Sequence, residues 1–154
     1  MDTLPIADVV EDLNRLMAEE AEACLRYFQM RFRLRGPHAR VAEQFFEEAV
    51  KETLEHADAL ARQIKALGHV PTLTIRLSLG GGVIRPAEAL SEALDLEQQA
   101  LDAYRDFLPR VAGHAELEAF IRKQIDTETE HVEAIRTIVR TRSPLNLVTR
   151  PASK

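Results

Sequence analysis

Four stretches of this chain repeat apolar residues at the i, i+3, i+4, i+7 spacing of an amphipathic helix, and Gly/Pro punctuation separates them. The first begins at Thr3 to Ile6 and runs to about Arg35, with Leu13, Leu16, Met17, Glu20, Ala23, Cys24, Tyr27 and Phe28 on one stripe. Gly36-Pro37 stops it and starts the second. That helix extends from about His38 to Leu67 and turns Ala42, Phe46, Ala49, Thr53, His56, Ala57, Leu60 and Ile64 inward before Gly68 and Pro71. The third starts at Pro86, places Ala89, Leu90, Ala93, Glu97, Leu101 and Tyr104 inward, and is broken by Pro109 and Gly113. The fourth follows to about Arg142, carrying Leu117, Phe120, Ile121, Gln124, Ile125, Glu128, His131, Ile135, Ile138 and Val139 on its stripe.

Only one connection is long. Thr72 to Arg85 alternates Leu73, Ile75, Leu77 and Leu79 and ends in Gly80-Gly81-Gly82. No second strand is available to pair with it, so it is expected as an extended crossover over the helices, with the glycines as a flexible turn. The glycines lack the Gly-Lys-Ser/Thr ending of a phosphate loop. Two short loops and one long one describe an all-α, antiparallel four-helix bundle with a B-to-C crossover. It forms a single domain over residues 1–142, with 143–154 as a short polar tail.

The charge balance, 20 Lys+Arg against 25 Asp+Glu, disfavours nucleic acid or an anionic membrane as main partner. A single cysteine excludes an internal disulfide and fits a reducing compartment. The N-terminus lacks a basic n-region and an apolar h-region, and no segment approaches the roughly 20 apolar residues of a membrane span. A cytoplasmic protein is expected.

Within the stripes stand residues that do not belong in a hydrocarbon core. Glu128-x-x-His131 lies one turn apart on the fourth helix, the spacing by which one helix offers an oxygen and a nitrogen to a metal. The two helical hairpins repeat each other. Glu20 with Tyr27 matches Glu97 with Tyr104, and Glu55-His56-Ala57 matches Glu130-His131-Val132. The repeat gathers Glu20, His56, Glu97, Glu128 and His131 near a pseudo-twofold axis. Three buried carboxylates are costly unless they neutralise a positive charge. With two imidazoles and no thiolate the set suits iron or manganese better than structural zinc. One position breaks the symmetry: three residues before His56 stands Thr53, where the fourth helix has Glu128. Glu52 is the candidate replacement, offset by about 100° of helical rotation; the alternative for it is a solvated position.

Tyr27 and Tyr104 are read either as redox-active neighbours or, preferred, as core residues whose hydroxyls have found partners. Cys24 is read as a small core hydrophobe, and His38, His69 and His114 as caps or surface residues.

Leu13-Asn14-Arg15-Leu16, Glu20, Arg26-Tyr27-Phe28, His56-Ala57-Asp58, the turn Leu67-Gly68-x-x-Pro71, and Glu128-x-x-His131 resemble the bacterioferritin branch of the ferritin-like superfamily. The likeness extends to about Arg142. It implies a dinuclear iron centre in each subunit, oxidation of ferrous iron by oxygen or peroxide, and a hollow homo-oligomeric shell storing ferric mineral. Carried over by position, the ligands are Glu20, His56, Glu128 and His131, with Glu97 from the third helix by phase and Asp95 competing by spacing. The same residues, with Tyr27 beside them, would carry the oxidation. Three departures are visible. Thr53 stands at the bridging glutamate and Leu54 at the haem methionine, so no haem is expected. Ser143-Pro144 and Pro151 interrupt the region of a short fifth helix.

The leading expectation is an iron-binding, iron-oxidising protein of this kind. The alternatives are a rubrerythrin-like di-metal oxidase without storage, and a partner subunit, completed by a sister chain, whose centre has decayed.

Overall fold

A computed structural model describes residues 4–141. Four helices follow one another, α1 (Ile6–Arg33), α2 (Ala39–Ala66), α3 (Pro86–Phe107) and α4 (Ala115–Thr141), with a 3-10 turn, Leu108–Val111, between the last two. The expected tail and the region of the fifth helix lie outside the described residues. Among the described residues none of the helices is long and apolar enough to cross a membrane.

The helix ends follow from local chemistry. Arg85 is extended, and Pro86 then starts α3 with a ring that already holds the helical φ. α1 stops two residues short of expectation because Leu34 turns extended to form a parallel bridge with Ile84. Arg35 N donates to Ile84 O and Ile84 N to Arg33 O, both at 3.0 Å, which pins the start of α3 beside the end of α1. α2 begins after His38, whose left-handed φ of 67° cannot be helical. It closes on a Schellman motif, with His69 N donating to Ile64 O and Gly68 N to Lys65 O. Gly68 has φ +83°, and nothing lies within 4 Å of where its Cβ would be. Gly68→Ala therefore meets only the left-handed penalty, and should lower stability by about 1 kcal/mol. A urea midpoint that drops with unchanged slope checks this.

The apolar residues divide into two clusters. One joins Val9, Leu13, Leu16, Leu60, Ile64, Phe107, Leu117 and Ile121; the other joins Met30, Phe46, Ala49, Leu90, Ala93 and Ile135. The first half of α1 thus packs with the last half of α2 and of α3 and the first half of α4. Such contacts require each hairpin to be antiparallel, as expected from the short loops. Between the clusters runs a buried polar layer with Glu20, Thr53, Glu97, Gln124 and Glu128.

The crossover runs alongside α1 in the same direction. Thr72 N donates to Asn14 Oδ1 (2.8 Å), Arg76 N to Glu22 Oε1 (3.4 Å), Gln29 Nε2 to Gly80 O (3.0 Å) and Arg33 Nε to Gly82 O (2.9 Å). Ten residues of extended chain, roughly 33 Å, thereby match the roughly 28 Å between Asn14 and Arg33 along the helix. The glycines expected as a flexible turn are instead tied to α1 through two carbonyls. The alternation buries little of Leu73 and Ile75, which stay exposed.

The 3-10 turn was not expected from the sequence. Pro109 ends α3 as a breaker should, but Val111 goes on to fill the core. Arg110 meets buried Asp12 of α1 at 2.8 Å, tying the turn down. Cys24, expected in the core, is only partly buried, and its thiol faces Val50 O at 3.5 Å. His114 does cap: its Nδ1 accepts from Leu117 N at 3.3 Å. His69 is exposed.

Candidate metal centre

Each helix brings one turn to the polar layer. α1 supplies Glu20, α3 supplies Glu97, α2 supplies His56 and α4 supplies Glu128 and His131. These donors form two groups, Glu20–His56–Glu128 and Glu97–Glu128–His131, in each of which the ligand-type atoms lie within 4.8 Å of one another. Glu128 belongs to both. His56 Nδ1 is 3.1 Å from Glu128 Oε1 and 3.5 Å from Glu20 Oε2. His131 Nδ1 is 3.7 Å from Glu128 Oε2 and 3.7 Å from Glu97 Oε2. The two imidazoles stack at 5.9 Å between centroids and 17° between planes.

The tyrosines cross over between the halves. Tyr27 of α1 donates to Glu97 Oε1 of α3 at 2.9 Å, and Tyr104 of α3 donates to Glu20 Oε1 of α1 at 2.8 Å. Each phenol leaves the second oxygen of its carboxylate facing a histidine. Both phenols are pushed up in pKa, chiefly by burial and then by the adjacent carboxylates, so they remain protonated donors. Of the two readings of Tyr27, the partnered core hydroxyl is the contact the structure contains.

Asp95, Glu52 and Thr53 stand outside both donor groups. Asp95 is exposed: two residues before Glu97, it lies about 200° round the helix and away from the centre. Glu52 is half-exposed and outside both donor groups, and its Oε2 approaches Nε2 of His131 at 3.4 Å. From there it can orient the imidazole whose Nδ1 faces the centre, a carboxylate behind a histidine rather than a carboxylate in the ring. Thr53 is buried with its hydroxyl donated to Ala49 O (2.8 Å) and Val50 O (3.1 Å), which holds it to its own helix, and it brings no carboxylate to the centre.

The charges are held in check by protons. Burial pulls His56 down, but its contacts with Glu128 and then Glu20 outweigh this and push it up to about 10. His131 is pushed up to about 10 by Glu128 and Glu97 against a smaller effect of burial. Burial raises Glu97 to about 7, with Glu128 adding to the rise and His131 opposing it. Glu128 is held low: burial works against its charge, and the two histidines overcome it. At neutral pH the metal-free centre therefore sets two imidazoliums against a charged Glu128 and a partly protonated Glu97.

That arrangement leaves defects a cation would repair. Nδ1 of His56 and Oε2 of Glu128 are both buried without a hydrogen-bond partner, and their nearest groups are the ion-pair contacts at 3.1 Å and 3.7 Å. Such atoms cost about 1–3 kcal/mol each. Oxygen and imidazole donors converge, thiolate is absent, and the orphaned atoms lie in the two groups. The set fits divalent iron or manganese.

A ferritin-like domain model matches residues 10–143. A curated protein of Kitasatospora aureofaciens, described as uncharacterised in the bpoA2 5′ region, is 31% identical over 112 residues, covering 66% of this chain and 73% of its own length. Among solved structures, the ferritin-like diiron-carboxylate protein of Bacillus anthracis is 26% identical with a TM-score of 0.77, covering 90% of this chain and 99% of that one. The dodecameric thioferritin of Bacteroides fragilis, a bacterioferritin-related protein, shares the fold at 20% identity and a TM-score of 0.79, over 96% of this chain and 94% of its own.

Proposed function

Since this chain belongs to the ferritin-like domain family, we propose that it is a bacterioferritin-like iron-binding protein that takes up ferrous iron in the polar layer and passes its electrons to oxygen or peroxide. Glu20, His56 and Glu128 would hold one ion and Glu97, Glu128 and His131 the other. The observation that carries this reading is the sharing of Glu128 between two donor groups, which is what a pair of neighbouring cations requires. Carboxylate oxygens stabilise the higher positive charge of the ferric state, which favours oxidation. Two ferrous ions give up one electron each; dioxygen takes both with two protons to yield hydrogen peroxide, or hydrogen peroxide takes both with two protons to yield two waters. The tyrosine and Glu52 contacts keep the carboxylates and His131 aimed while the iron changes charge.

Anaerobic titration of metal-free protein with ferrous iron, followed by oxygen, tests this. Two equivalents should bind and oxidise rapidly. One or none, without optical change, would overturn it.

Storage requires a shell, and the Bacteroides fragilis neighbour is a dodecamer. Here Leu25, Phe28 and Phe32 make an exposed apolar stripe on α1, with Arg31 placed over both phenyl rings. A second copy of the chain is the proposed cover for it. Phe28→Asp should weaken self-association at least tenfold, since burying a phenyl contributes about 1.5–3 kcal/mol. Light scattering on a sizing column reads the mass; an unchanged mass at micromolar protein would place the contact elsewhere.

A further inference from the structure

A cavity of about 240 Å³ opens between α1 and α3, and its inner wall includes Glu20 and Glu97, one from each donor group. These two are only 5% and 8% exposed. Each gives one oxygen to a tyrosine, and the other has a histidine nitrogen beside it, at 3.5 Å and 3.7 Å. Glu19 and Glu22 add two more carboxylates to the lining from α1. The volume is more than ten times the roughly 10–15 Å³ that one water needs, so an ion has room to enter with water still around it.

Charge decides which ion. The lining holds four carboxylates and one guanidinium, that of Arg26. Arg15, one turn before Glu19, is paired with Asp12 at 2.8 Å. Arg76 gives Glu22 its backbone amide (3.4 Å), which holds that carboxylate against the crossover. Arg26 also borders a neighbouring cavity with Arg33, Glu92 and Asp95. Outside the donor groups, the two cavities together therefore set Glu19, Glu22, Glu92 and Asp95 against Arg26 and Arg33. The histidines lie deeper, behind Glu20 and Glu97. Carboxylates in excess around a cleft concentrate cations there and raise their rate of arrival by about 10–10³-fold. Arg26 opposes that attraction. It is exposed and forms no ion pair among the described residues, whereas Arg15, Arg62, Arg110, Arg122 and Arg136 each meet a carboxylate.

We infer that divalent cations reach the donor groups through this cavity, drawn by Glu19 and Glu22, and that Arg26 limits how fast they arrive. The inference rests on the two-cation reading above and adds to it a way in and a brake. On the side of α2 and α4 the stacked imidazoles and Glu52 stand across the approach. Neither Glu19 nor Glu22 belongs to a donor group. They govern passage and not holding, so arrival and release should change together.

The chain has two tyrosines and no tryptophan, and both phenols hold carboxylates of the centre. Quenching of tyrosine fluorescence therefore reports the arrival of Mn²⁺. Stopped-flow mixing of the metal-free full chain with Mn²⁺ gives the rate, and calorimetry gives the affinity. Arg26→Gln should speed arrival about threefold or more, and Glu19→Gln combined with Glu22→Gln should slow it about tenfold or more, each with an affinity within about twofold of wild type. Ala100→Leu, which narrows the cavity from α3 without changing its charge, should slow arrival and release alike. Arg105→Gln removes an exposed charge of α3 outside the lining and should leave the rate as it is. Wild-type rates in the Arg26, Glu19/Glu22 and Ala100 variants, with Mn²⁺ still bound, would overturn the inference while leaving the two-cation site intact. An affinity that falls as far as the rate, with release unchanged, would do the same. Absence of Mn²⁺ binding by the wild-type chain would overturn both.

Discussion

Metal-free protein carrying Glu128→Gln is expected to bind less than one equivalent of Mn²⁺ where the wild type takes two, with affinity reduced at least ~100-fold. The amide keeps the shape of a fully buried side chain, so packing is preserved and the charge alone is removed. Both donor groups contain Glu128, so both are left with one carboxylate and one imidazole. Losing even an outer-shell partner typically costs 10–100-fold in metal affinity, and a donor shared by two ions should cost more. Glu20→Gln touches only one group and should leave one equivalent. The comparison separates a shared centre from two independent ones: if Glu128→Gln and Glu20→Gln lose the same single equivalent, Glu128 is not the bridge. Far-UV circular dichroism of both variants controls for folding.

Much of this geometry is legible in the sequence because helical periodicity converts residue number into direction. Glu128 and His131 fall on the same stripe as Ile121 and Ile135, and the repeat of Glu20–Tyr27 by Glu97–Tyr104 places the halves about a common axis. Glu97 prevails over Asp95 on the same ground, since the intervals from Ala93 to Leu101 keep 97 on the inner face. What periodicity cannot carry is reach between helices. Tyr27 lies seven residues from Glu20, about 10.5 Å along the axis, so a phenol seeking a carboxylate finds Glu97 on the neighbouring helix instead. The pairing of Asp12 with Arg110 likewise joins positions that no spacing rule relates. Glu52 shows a third kind of gap. Its rotation away from Thr53 can be counted, but its contact with the far nitrogen of His131 depends on a side-chain conformation that rotation does not determine. The early end of α1 has the same origin, because Leu34 exchanges a helical position for a bridge to Ile84, fifty residues later.

Metal loading should release protons, and in a number that depends on pH. In the metal-free centre His56 and His131 are each pushed up to about 10 and Glu97 to about 7. A cation needs the imidazoles neutral and the carboxylates charged, so every proton held there must leave. At pH 7 that is two from the histidines and about half of one from Glu97. Between pH 8 and 10 the overall affinity for two Mn²⁺ should rise by about two powers of ten per pH unit, one for each imidazolium displaced, and flatten as pH passes 10. Below pH 7 the slope should approach three as Glu97 joins. Calorimetry at pH 7 in two buffers of different ionisation enthalpy gives the count directly; fewer than one proton released would mean that the carboxylates do not hold the histidines charged. The same protons stabilise the metal-free fold. A histidine raised in the folded state contributes its stability fully below pH 6.5, its ordinary value, and loses it as pH climbs through 10. The metal-free protein should therefore melt at progressively lower temperature across that window, while the Mn²⁺-loaded protein, whose carboxylates face cations instead of imidazoliums, should not follow it.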